Sequence, residues 1–335
     1  MALDIYRPQT MLRIAQTIKE PRTFLKDLFF RRVETFSTMS VTFDVREKDH
    51  QMAQFVASDI GQSLSARAGF KTKQFTPPLV APARAVTADD VDRRVLGENV
   101  FGGRTPNQRR ASLLRQDMLD LDREITRLEE FMAAKAMVEG KIHVKGEGVD
   151  EIIDFHFENH VVVGRPWTDA DAKPFDDLQT AVSKASESGH TPNVLIANGK
   201  TIQAFLNNTQ VQKFLDNSGL RIGIIEPQIV RNGASYQGFL RQSGLDVYSY
   251  DGAYRQDGKF VKHIPDGKVI IASTDAPNLM LYGVIHNERN GSQAGSRVPN
   301  TYFSDNGSTR FISLSSRPLP VPVDVTSWIV LDVFS

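Results

Sequence analysis

The run of residues that comes closest to a ligand-binding motif is Asn198, Gly199, Lys200 and Thr201. It follows an apolar segment typical of a buried strand and precedes a helical pattern, which is the setting of a phosphate-binding loop. Such a loop also needs a glycine five residues before Gly199, where this chain has Val194. Without that glycine the backbone N–H groups cannot curl around a phosphate. We therefore interpret the run as a helix start capped by Asn198 or Thr201. A nucleotide-binding α/β enzyme built on it is the alternative.

Two histidines form a second candidate, a metal site. His156 and His160 lie four residues apart with Glu158 between them, but a zinc site of this type needs its two histidines on a helix. The surrounding sequence DFHFENH alternates like a strand. We therefore predict surface polar residues on a strand. The acidic clusters near Asp89 and Asp169 are typical of loops that start helices.

Composition narrows the chemistry further. The chain has 335 residues and no cysteine, which excludes thiol nucleophiles, disulfides and Cys-ligated metals. It contains neither a Gly-x-Ser-x-Gly elbow nor a Gly-x-Gly-x-x-Gly loop. We predict no catalytic residue, no cofactor-binding residue, no metal ligand and no cofactor.

The overall charge and hydropathy restrict the partners. Lys and Arg number 40, as do Asp and Glu, so the chain lacks the basic surplus typical of proteins that grip the phosphate backbone. Charged residues interrupt the first 20 positions, and no apolar stretch approaches the roughly 20 residues that span a bilayer. We expect no membrane contact. The length is that of about two domains.

The N-terminal region predicts two short helices. Apolar residues recur at helical spacing over 11–18 and again over 24–29, with Pro21 between the two stripes. Short helices with exposed sides need a further surface to cover them. Packing on the parent domain is one interpretation, and an arm that reaches a neighbour is the other.

Residues 38–96 predict an extended hairpin. Val41, Phe43 and Val45 alternate with polar residues as in a half-buried strand. From residue 59 to 88 large apolar residues become sparse, glycines and prolines are frequent, and basic residues outnumber acidic ones. A loop of this length is unusual inside a compact domain unless it has a function. The apolar residues that favour an ordered hairpin over a disordered loop are Phe70, Phe75, Leu79 and Val80.

A long helix is predicted over residues 107–139, which contain no glycine or proline and are followed by Gly140. The helix would be about 50 Å long, whereas a compact domain of about 150 residues is roughly 40 Å across. Lys135 interrupts the heptad pattern, so we favour a single helix along one face of an elongated subunit over a coiled coil. The apolar residues of its stripe are Leu114, Met118, Leu121, Ile125, Leu128 and Met132.

The remainder predicts a mixture of helices and strands. Helices are expected over 175–188, 201–206 and 211–215. Strands are expected over 141–144, 152–157, 194–197, 222–226, 244–250, 254–255, 260–263, 269–273 and 280–285. The C-terminal segment 317–335 predicts a proline-bearing edge strand followed by a buried strand. The fold class is α+β.

Five segments, in this order along the chain, carry a resemblance to a known family. They are FLKDLFF (24–30), QFTPPLVAP (74–82), EEFMAAKAMVEGKIHVKGEG (129–148), YDGAYRQDGKFVKHIPDGKVIIAS (250–273) and LYG (281–283). In their order and spacing the chain resembles the lambda-like major capsid proteins of tailed bacteriophages, the major capsid protein E family. The resemblance covers nearly the whole chain, and none of its motifs is catalytic.

The resemblance implies the tailed-phage major capsid fold. Its expected parts are an N-terminal arm (1–37), an extended E-loop hairpin (38–96), a peripheral domain (97–185) with a spine helix (107–139), an axial domain (186–310) and C-terminal strands that return to the peripheral domain (311–335). Subunits of this kind form hexamers and pentamers that build the icosahedral head shell around the double-stranded DNA genome. They enclose that DNA without sequence-specific binding.

The resemblance also implies partners. The capsid-like region starts near the N-terminus and leaves no room for a cleaved scaffolding segment, so a separate scaffolding protein is expected, together with a portal and, as a further candidate, a decoration protein. The expected location is the virion, after assembly in the host bacterial cytoplasm. Some relatives join subunits by a lysine–asparagine bond. Lys71 and Lys73 lie in the hairpin, but no motif carries that chemistry over. An encapsulin-type shell or a tail tube is the remaining alternative.

We expect the arm and the hairpin to contact neighbouring subunits. The apolar side chains would be buried on the neighbour and the basic ones would face its acids. The residues expected in these contacts are Leu25, Phe29, Arg67, Phe70, Lys71, Lys73, Phe75, Leu79 and Arg84.

Overall fold

A computed structural model describes residues 10–11, 23–38, 40–46, 70–87, 89–90, 105–217, 228–230, 233–256, 258–286, 291–304, 307 and 309–334. For 42–46, 70–73, 214–217 and 228–230 it describes the backbone alone. Most of the helix expected over 11–18, the strand expected over 222–226 and Arg67 lie outside the described residues.

The helices confirm the sequence predictions, and their ends lie within two residues of those expected. In the described part of the chain they are α1 Leu25–Phe29, α2 Pro106–Glu139, α3 Pro174–Glu187, α4 Gly199–Asn207 and α5 Thr209–Asn217.

The strands outnumber those expected from sequence. In chain order they are β1 Arg32–Thr35, β2 Val41–Arg46, β3 Phe70–Phe75, β4 Ala83–Thr87, β5 Lys141–Gly146, β6 Val149–Asp154, β7 His160–Val162, β8 Val194–Ala197, β9 Gln228–Val230, β10 Ala234–Leu240, β11 Leu245–Tyr250, β12 Ala253–Gln256, β13 Lys259–Lys262, β14 Lys268–Ala272, β15 Leu279–Tyr282, β16 Val284–Ile285, β17 Gln293–Ala294, β18 Val298–Phe303, β19 Thr309–Ser315, β20 Pro318–Val321 and β21 Trp328–Asp332.

A seven-stranded sheet with the order β7-β21-β14-β8-β11-β10-β9 is the centre of the subunit. Alternate residues of its central strands enter two different cores, as the pleat of a strand requires. Val194 and Ile196 of β8 face the C-terminal half of α2, whereas Leu195 and Ala197 face α3 and α4. The sheet is therefore a buried layer between helices, which explains why β8 is apolar at every position.

Helix α2 begins and ends with strong sequence signals. Thr105 and Gln108 form a reciprocal capping box, and Pro106 occupies the first turn. Gly140 ends the helix in the left-handed conformation, with φ +66°. The helix has 34 residues and is therefore about 50 Å long, so it bridges two separate cores.

The N-terminal half of α2 belongs to a small core of its own. Leu114, Met118, Leu121 and Ile125 pack there with residues of β19. Strand β19 lies between β18 and β4 in a three-stranded antiparallel sheet. The C-terminal half of α2, from Met132 to Val138, joins the large core under the seven-stranded sheet. The predicted apolar stripe is thus confirmed: its N-terminal residues pack in the small core and its C-terminal residues pack in the large core.

Smaller sheets surround these cores. Strands β1, β15 and β20 form a three-stranded sheet in which the proline-bearing β20 is an edge, as predicted. Strand β21 lies inside the seven-stranded sheet and is buried. Four two-stranded units complete the described structure: the ribbon β2–β3, the hairpins β5–β6 and β12–β13, and the pair β16–β17.

Two sequence expectations about strands were wrong. The strand expected over 280–285 is two strands in different sheets, and Gly283 separates them. The Gly283 N–H donates to the Arg317 carbonyl oxygen at 3.0 Å, and a side chain at this position would press against Phe36 and Arg317. The strand expected over 152–157 ends at Asp154, and His156 adopts φ +56°. Strands β10, β18 and β19 were missed because their sequences mix polar and apolar residues without a clear period.

We expect Gly140→Ala to destabilise the subunit. A Cβ atom at this position would overlap the Phe157 side chain, and a left-handed φ alone costs an alanine about 1–2 kcal/mol. Urea unfolding should therefore show a free energy of unfolding lower by at least that amount. Gly146→Ala is the matched control, since its Cβ would enter open space. An equal loss in both variants would contradict the explanation.

Candidate functional site

The run at 198–201 forms an internal clamp. Asn198 Oδ1 accepts a hydrogen bond from the Thr201 backbone N–H at 2.9 Å and caps α4. Asn198 Nδ2 donates to Asp266 Oδ1 at 2.7 Å, and the Gly267 N–H donates to Thr201 Oγ1 at 2.9 Å. The cap predicted from the sequence is confirmed, and it holds α4 against the turn before β14.

Carboxylates occupy the positions where a phosphate would bind. The Gly199 N–H donates to Asp251 Oδ1 at 3.1 Å, and Lys200 Nζ pairs with Asp266 Oδ2 at 3.0 Å. An entering phosphate would meet these two negative groups at the start of α4. The alternative interpretation of this run as a nucleotide site is therefore wrong.

The two histidines do not form a metal site. His156 is exposed after the end of β6, whereas His160 lies on β7 and its Nε2 contacts the Val138 carbonyl oxygen at 2.9 Å. No cluster of three or more His, Cys, Asp or Glu side chains suited to a metal occurs among the described residues.

The polar site that dominates the described structure is a buried ion network, which we name the α2 network. It comprises Lys26, Asp122, Thr126, Glu129, Glu130, Tyr250, Tyr282 and Arg297. Arg297, 8% exposed, pairs through Nε with Asp122 Oδ1 at 2.6 Å and through Nη1 with Glu129 Oε1 at 2.6 Å. Its Nη2 donates to Thr126 Oγ1 at 3.1 Å. Positions 122, 126 and 129 share one face of α2 because they follow its helical repeat.

Glu129 connects three other parts of the chain to α2. Its Oε2 accepts from Lys26 Nζ of α1 at 2.7 Å, and its Oε1 accepts from the Tyr282 hydroxyl of β15 at 3.0 Å. Burial acts to raise the pKa of Glu129, but the charges of Arg297 and Lys26 outweigh it and hold the pKa below its ordinary value. Glu129 is therefore an ionised carboxylate enclosed by its partners.

Glu130 supplies the cap that α1 lacks. Helix α1 has five residues and no side-chain cap at its own N-terminus. Glu130 Oε1 accepts from the N–H groups of Phe24 and Leu25 at 3.2 and 2.8 Å, and Oε2 accepts from the N–H of Lys26 at 3.0 Å. Burial raises the pKa of Glu130, and these donors offset part of the rise. The first N–H groups of α1 are thus satisfied by a residue 104 to 106 positions away.

The α2 network was missed from the sequence. The signal that could have revealed it is the Glu-Glu pair at 129–130, which stands in the sequence between the apolar residues Leu128 and Phe131. Two adjacent acids on the core side of a helix demand partners, because unpaired buried charge is strongly unfavourable. Nothing in the local sequence identifies those partners.

Comparison with known proteins decides the family. Residues 8–333 match the family model of phage major capsid protein E. The chain belongs to this family. It is 27% identical over 323 residues to the major capsid protein of Escherichia phage lambda, and this alignment covers 92% of this chain and 93% of that protein. It is 24% identical to the major capsid protein of Enterobacteria phage P21, over 99% of this chain and 100% of that protein.

Solved structures show the same fold. A prophage capsid protein from Escherichia coli CFT073 superposes with a TM-score of 0.73 at 19% identity, over 97% of this chain and 98% of that one. The capsid of cyanophage P-SCSP1u gives a TM-score of 0.52 at 11% identity, over 94% and 89% of the two chains. The fold is therefore the α+β phage capsid fold, as the resemblance implied.

This phage major capsid protein self-assembles into the head shell and is a structural part of the virion rather than an enzyme. None of the helices described here combines the length and apolar character that a membrane crossing needs.

Of the residues predicted to contact neighbouring capsid subunits, the structure shows some buried within their own subunit and others exposed. Leu25 and Phe29 are 0% and 3% exposed and belong to the large core of their own subunit. They therefore leave no surface for a neighbour, which corrects their assignment. Phe75 is half-buried, and its ring lies 5.6 Å from that of Phe155 in the same chain.

The remaining predicted contacts lie along the ribbon and its continuation. Phe70, Lys71 and Lys73 are on β3, described by backbone alone. Leu79 is 53% exposed. Arg84 is exposed but pairs at 2.7 Å with Glu124 on α2 of its own subunit. Leu79 is thus the predicted apolar contact whose side chain the structure shows to be available.

We expect Arg297→Leu to destabilise the capsid subunit by about 3–5 kcal/mol, because it leaves Asp122 and Glu129 buried without their partner. Urea unfolding of the unassembled subunit measures this change. Arg84→Leu is the control, since loss of the exposed Arg84–Glu124 pair should change the free energy of unfolding by at most about 1 kcal/mol. Equal losses in the two variants would show that the buried ion pairs of the α2 network contribute no more to stability than an exposed pair does.

We also expect an acid-sensitive step from His263. This side chain is 8% exposed, and burial lowers its pKa to about 4 from the usual 6.5. The unfolded chain therefore binds more protons than the folded one between these values, so stability falls as the pH drops from about 6.5 to 4, by up to about 3 kcal/mol. Urea unfolding across this range should show a weaker pH dependence for His263→Phe than for the natural chain. An unchanged pH dependence would contradict the assignment.

Proposed function

We propose that this capsid protein assembles as hexamers and pentamers into an icosahedral shell around double-stranded DNA, and that its β2–β3 ribbon is an E-loop that extends onto the adjacent subunit. The supporting observation is the isolation of the ribbon. Its strands pair with each other from Val41↔Phe75 to Arg46↔Phe70, and no third described strand joins them. An isolated two-stranded ribbon is at best marginally stable in water. A neighbouring subunit would supply the surface that the ribbon lacks.

The ribbon is firmly attached at its base. Val41 and Phe75, the pair nearest the body, both pack against the large core. Beyond Phe75 the chain forms a backbone bridge from Val80 to Ser316 and continues into β4, which pairs with β19. A ribbon attached at its base in this way would be positioned by its own subunit before it meets a neighbour.

The proposed parts of the subunit are the arm (1–37), the E-loop (38–96), the peripheral domain (97–185) with α2 as its spine helix, the axial domain (186–310) and the C-terminal strands (311–335). Strand β21 of the last part lies between β7 and β14. The C-terminal strands would therefore tie the proposed axial domain to the proposed peripheral domain rather than return to one of them alone.

The proposed partners are other copies of the chain, a separate scaffolding protein, a portal and a decoration protein. A shell needs the same patches to meet around several symmetry axes. Each contact can be weak, since many act together through one rigid subunit. A chain without net charge also limits repulsion between the packed copies, and DNA would be enclosed without being gripped.

Shortening the ribbon tests the E-loop proposal. Residues 47–69 are replaced by Asn-Gly, which can close a hairpin directly because Arg46 and Phe70 are paired neighbours. We expect a soluble subunit with unchanged circular dichroism that forms no closed shells in electron microscopy. Leu79→Ser, at an exposed position, should reduce shell yield in the same way without loss of thermal stability.

The control retains the ribbon and changes a different exposed apolar residue, Val162→Ser on β7. It should assemble like the natural chain. Normal shells from the shortened variant would overturn the proposal that the ribbon joins subunits, whereas loss of folding in that variant would show that the ribbon stabilises its own subunit.

A further inference from the structure

The tip of hairpin β5–β6 presents a single acidic side chain. Gly146 pairs with Val149, so the turn consists of Glu147 and Gly148. Gly148 has φ +75°, as a tight turn of this kind requires, and a Cβ on either glycine would enter open space. With glycines on both sides, Glu147 is a narrow carboxylate knob at the end of a projecting element.

Two large apolar side chains of the hairpin are exposed. Val149 is 40% and Ile152 is 63% exposed. They lie three positions apart on β6 and therefore on opposite faces of the strand. The charged residues of the hairpin are Lys141 and Lys145 against Glu147, Asp150, Glu151 and Asp154, a net charge of −2.

A cavity with basic residues lies elsewhere on the same subunit. It has a volume of about 330 Å³, is partly open to solvent, and lies between the start of α1, the middle of α2 and the turn after β11. Its polar wall includes Arg123 and Arg127 one helical turn apart. Arg123 pairs with Asp120 at 3.3 Å, whereas Arg127 has no ion-pair partner among the residues described.

Two further polar groups line the wall. Both carboxyl oxygens of Glu130 accept hydrogen bonds from groups of the same chain. His263 is nine-tenths buried, and its Nδ1 has no hydrogen-bond partner in the described structure. The charged donors that the wall offers to an entering carboxylate are the guanidinium groups of Arg123 and Arg127, and such charge-assisted hydrogen bonds are stronger than those between neutral groups.

We infer that this cavity is a docking site for the Glu147 knob of a second copy of the chain. The knob carries one carboxylate, the cavity carries two guanidinium groups, and Glu147 forms no ion pair within the described part of its own subunit. A contact between two different patches on identical subunits is heterologous, and its repetition closes a ring when the rotation from one subunit to the next divides a full turn. The inference concerns the shell that the family forms and does not depend on the E-loop proposal.

Charge reversal tests the docking. Arg127→Glu and Glu147→Arg should each lower the yield of shells by about tenfold, a change expected for one lost charge pair repeated at every contact. Both residues are exposed, so circular dichroism and thermal stability of the subunit should be unchanged. The two substitutions together should restore assembly, because the pair is re-formed with its signs exchanged.

Matched controls separate this pair from general charge effects. Arg115→Glu on α2 and Glu158→Arg after β6 make the same changes at exposed residues outside the cavity and the hairpin tip. They should leave shell yield unchanged. Normal shell yields from the Arg127→Glu and Glu147→Arg variants would overturn the docking. The capsid function would still stand, because the natural chain and both variants would all form shells. Two defective single variants without rescue in the double variant would equally overturn it.

The absence of cysteine allows a direct test of proximity. Shells built from a Gly146→Cys, Ala253→Cys double variant, which retains Glu147 and Arg127, are treated with a short bis-maleimide and run on a denaturing gel; a Cβ at Gly146 enters open space, and Ala253 is an exposed residue of the cavity wall. We expect a ladder of covalent oligomers, because each subunit would link to one neighbour through its hairpin tip and to another through its cavity. The Gly146→Cys, Arg115→Cys variant should give no ladder. A ladder in both variants, or in neither, would refute the contact.

Discussion

The subunit depends on two adjacent acids inside its core, Glu129 and Glu130, each of which is hydrogen-bonded to groups from other segments. Each carboxylate is removed from water, and each is compensated by groups from distant parts of the chain. Such an arrangement gains little over an apolar core of the same shape, but it strongly penalises every arrangement in which a partner is missing. It therefore selects one relative placement of α1, α2, β15 and the segment at Arg297. The rest of the structure is built on that placement.

This internal order explains how a capsid subunit can carry projecting parts. The described residues pack into three apolar cores along α2 and on the two faces of the seven-stranded sheet. The ribbon β2–β3 contacts this body through Phe75, whose ring lies against Phe155, and the hairpin β5–β6 contacts it through Ile142 and Ile153. A shell assembled from rigid bodies with directed projections can use weak individual contacts, because each projection is already positioned before it meets its partner.

The side chains that first suggested chemistry have structural roles. Asn198 and Thr201 cap α4 and hold the turn before β14, and the carboxylates of Asp251 and Asp266 fill the space where a phosphate would bind. Residue types that form a ligand site in an enzyme here form hydrogen bonds between segments of the same chain. The difference lies in a missing glycine at position 194 and in two acids contributed by other segments.

The sequence by itself determined the elements that depend on neighbouring residues. The bounds of α2, the cap at Asn198, the apolar β8 and the order of family segments were all readable, because periodicity, capping and turn chemistry act over a few positions. Only the tertiary structure decided that Phe29 belongs to the subunit core, that the strand at 280–285 breaks at Gly283, and that Glu129 meets a guanidinium 168 positions away. An apolar residue on a short helix has the same local pattern whether its own subunit or a neighbour covers it. Likewise, an acid on the buried face of a helix indicates that a partner is needed, but which residue becomes that partner depends on how whole elements pack.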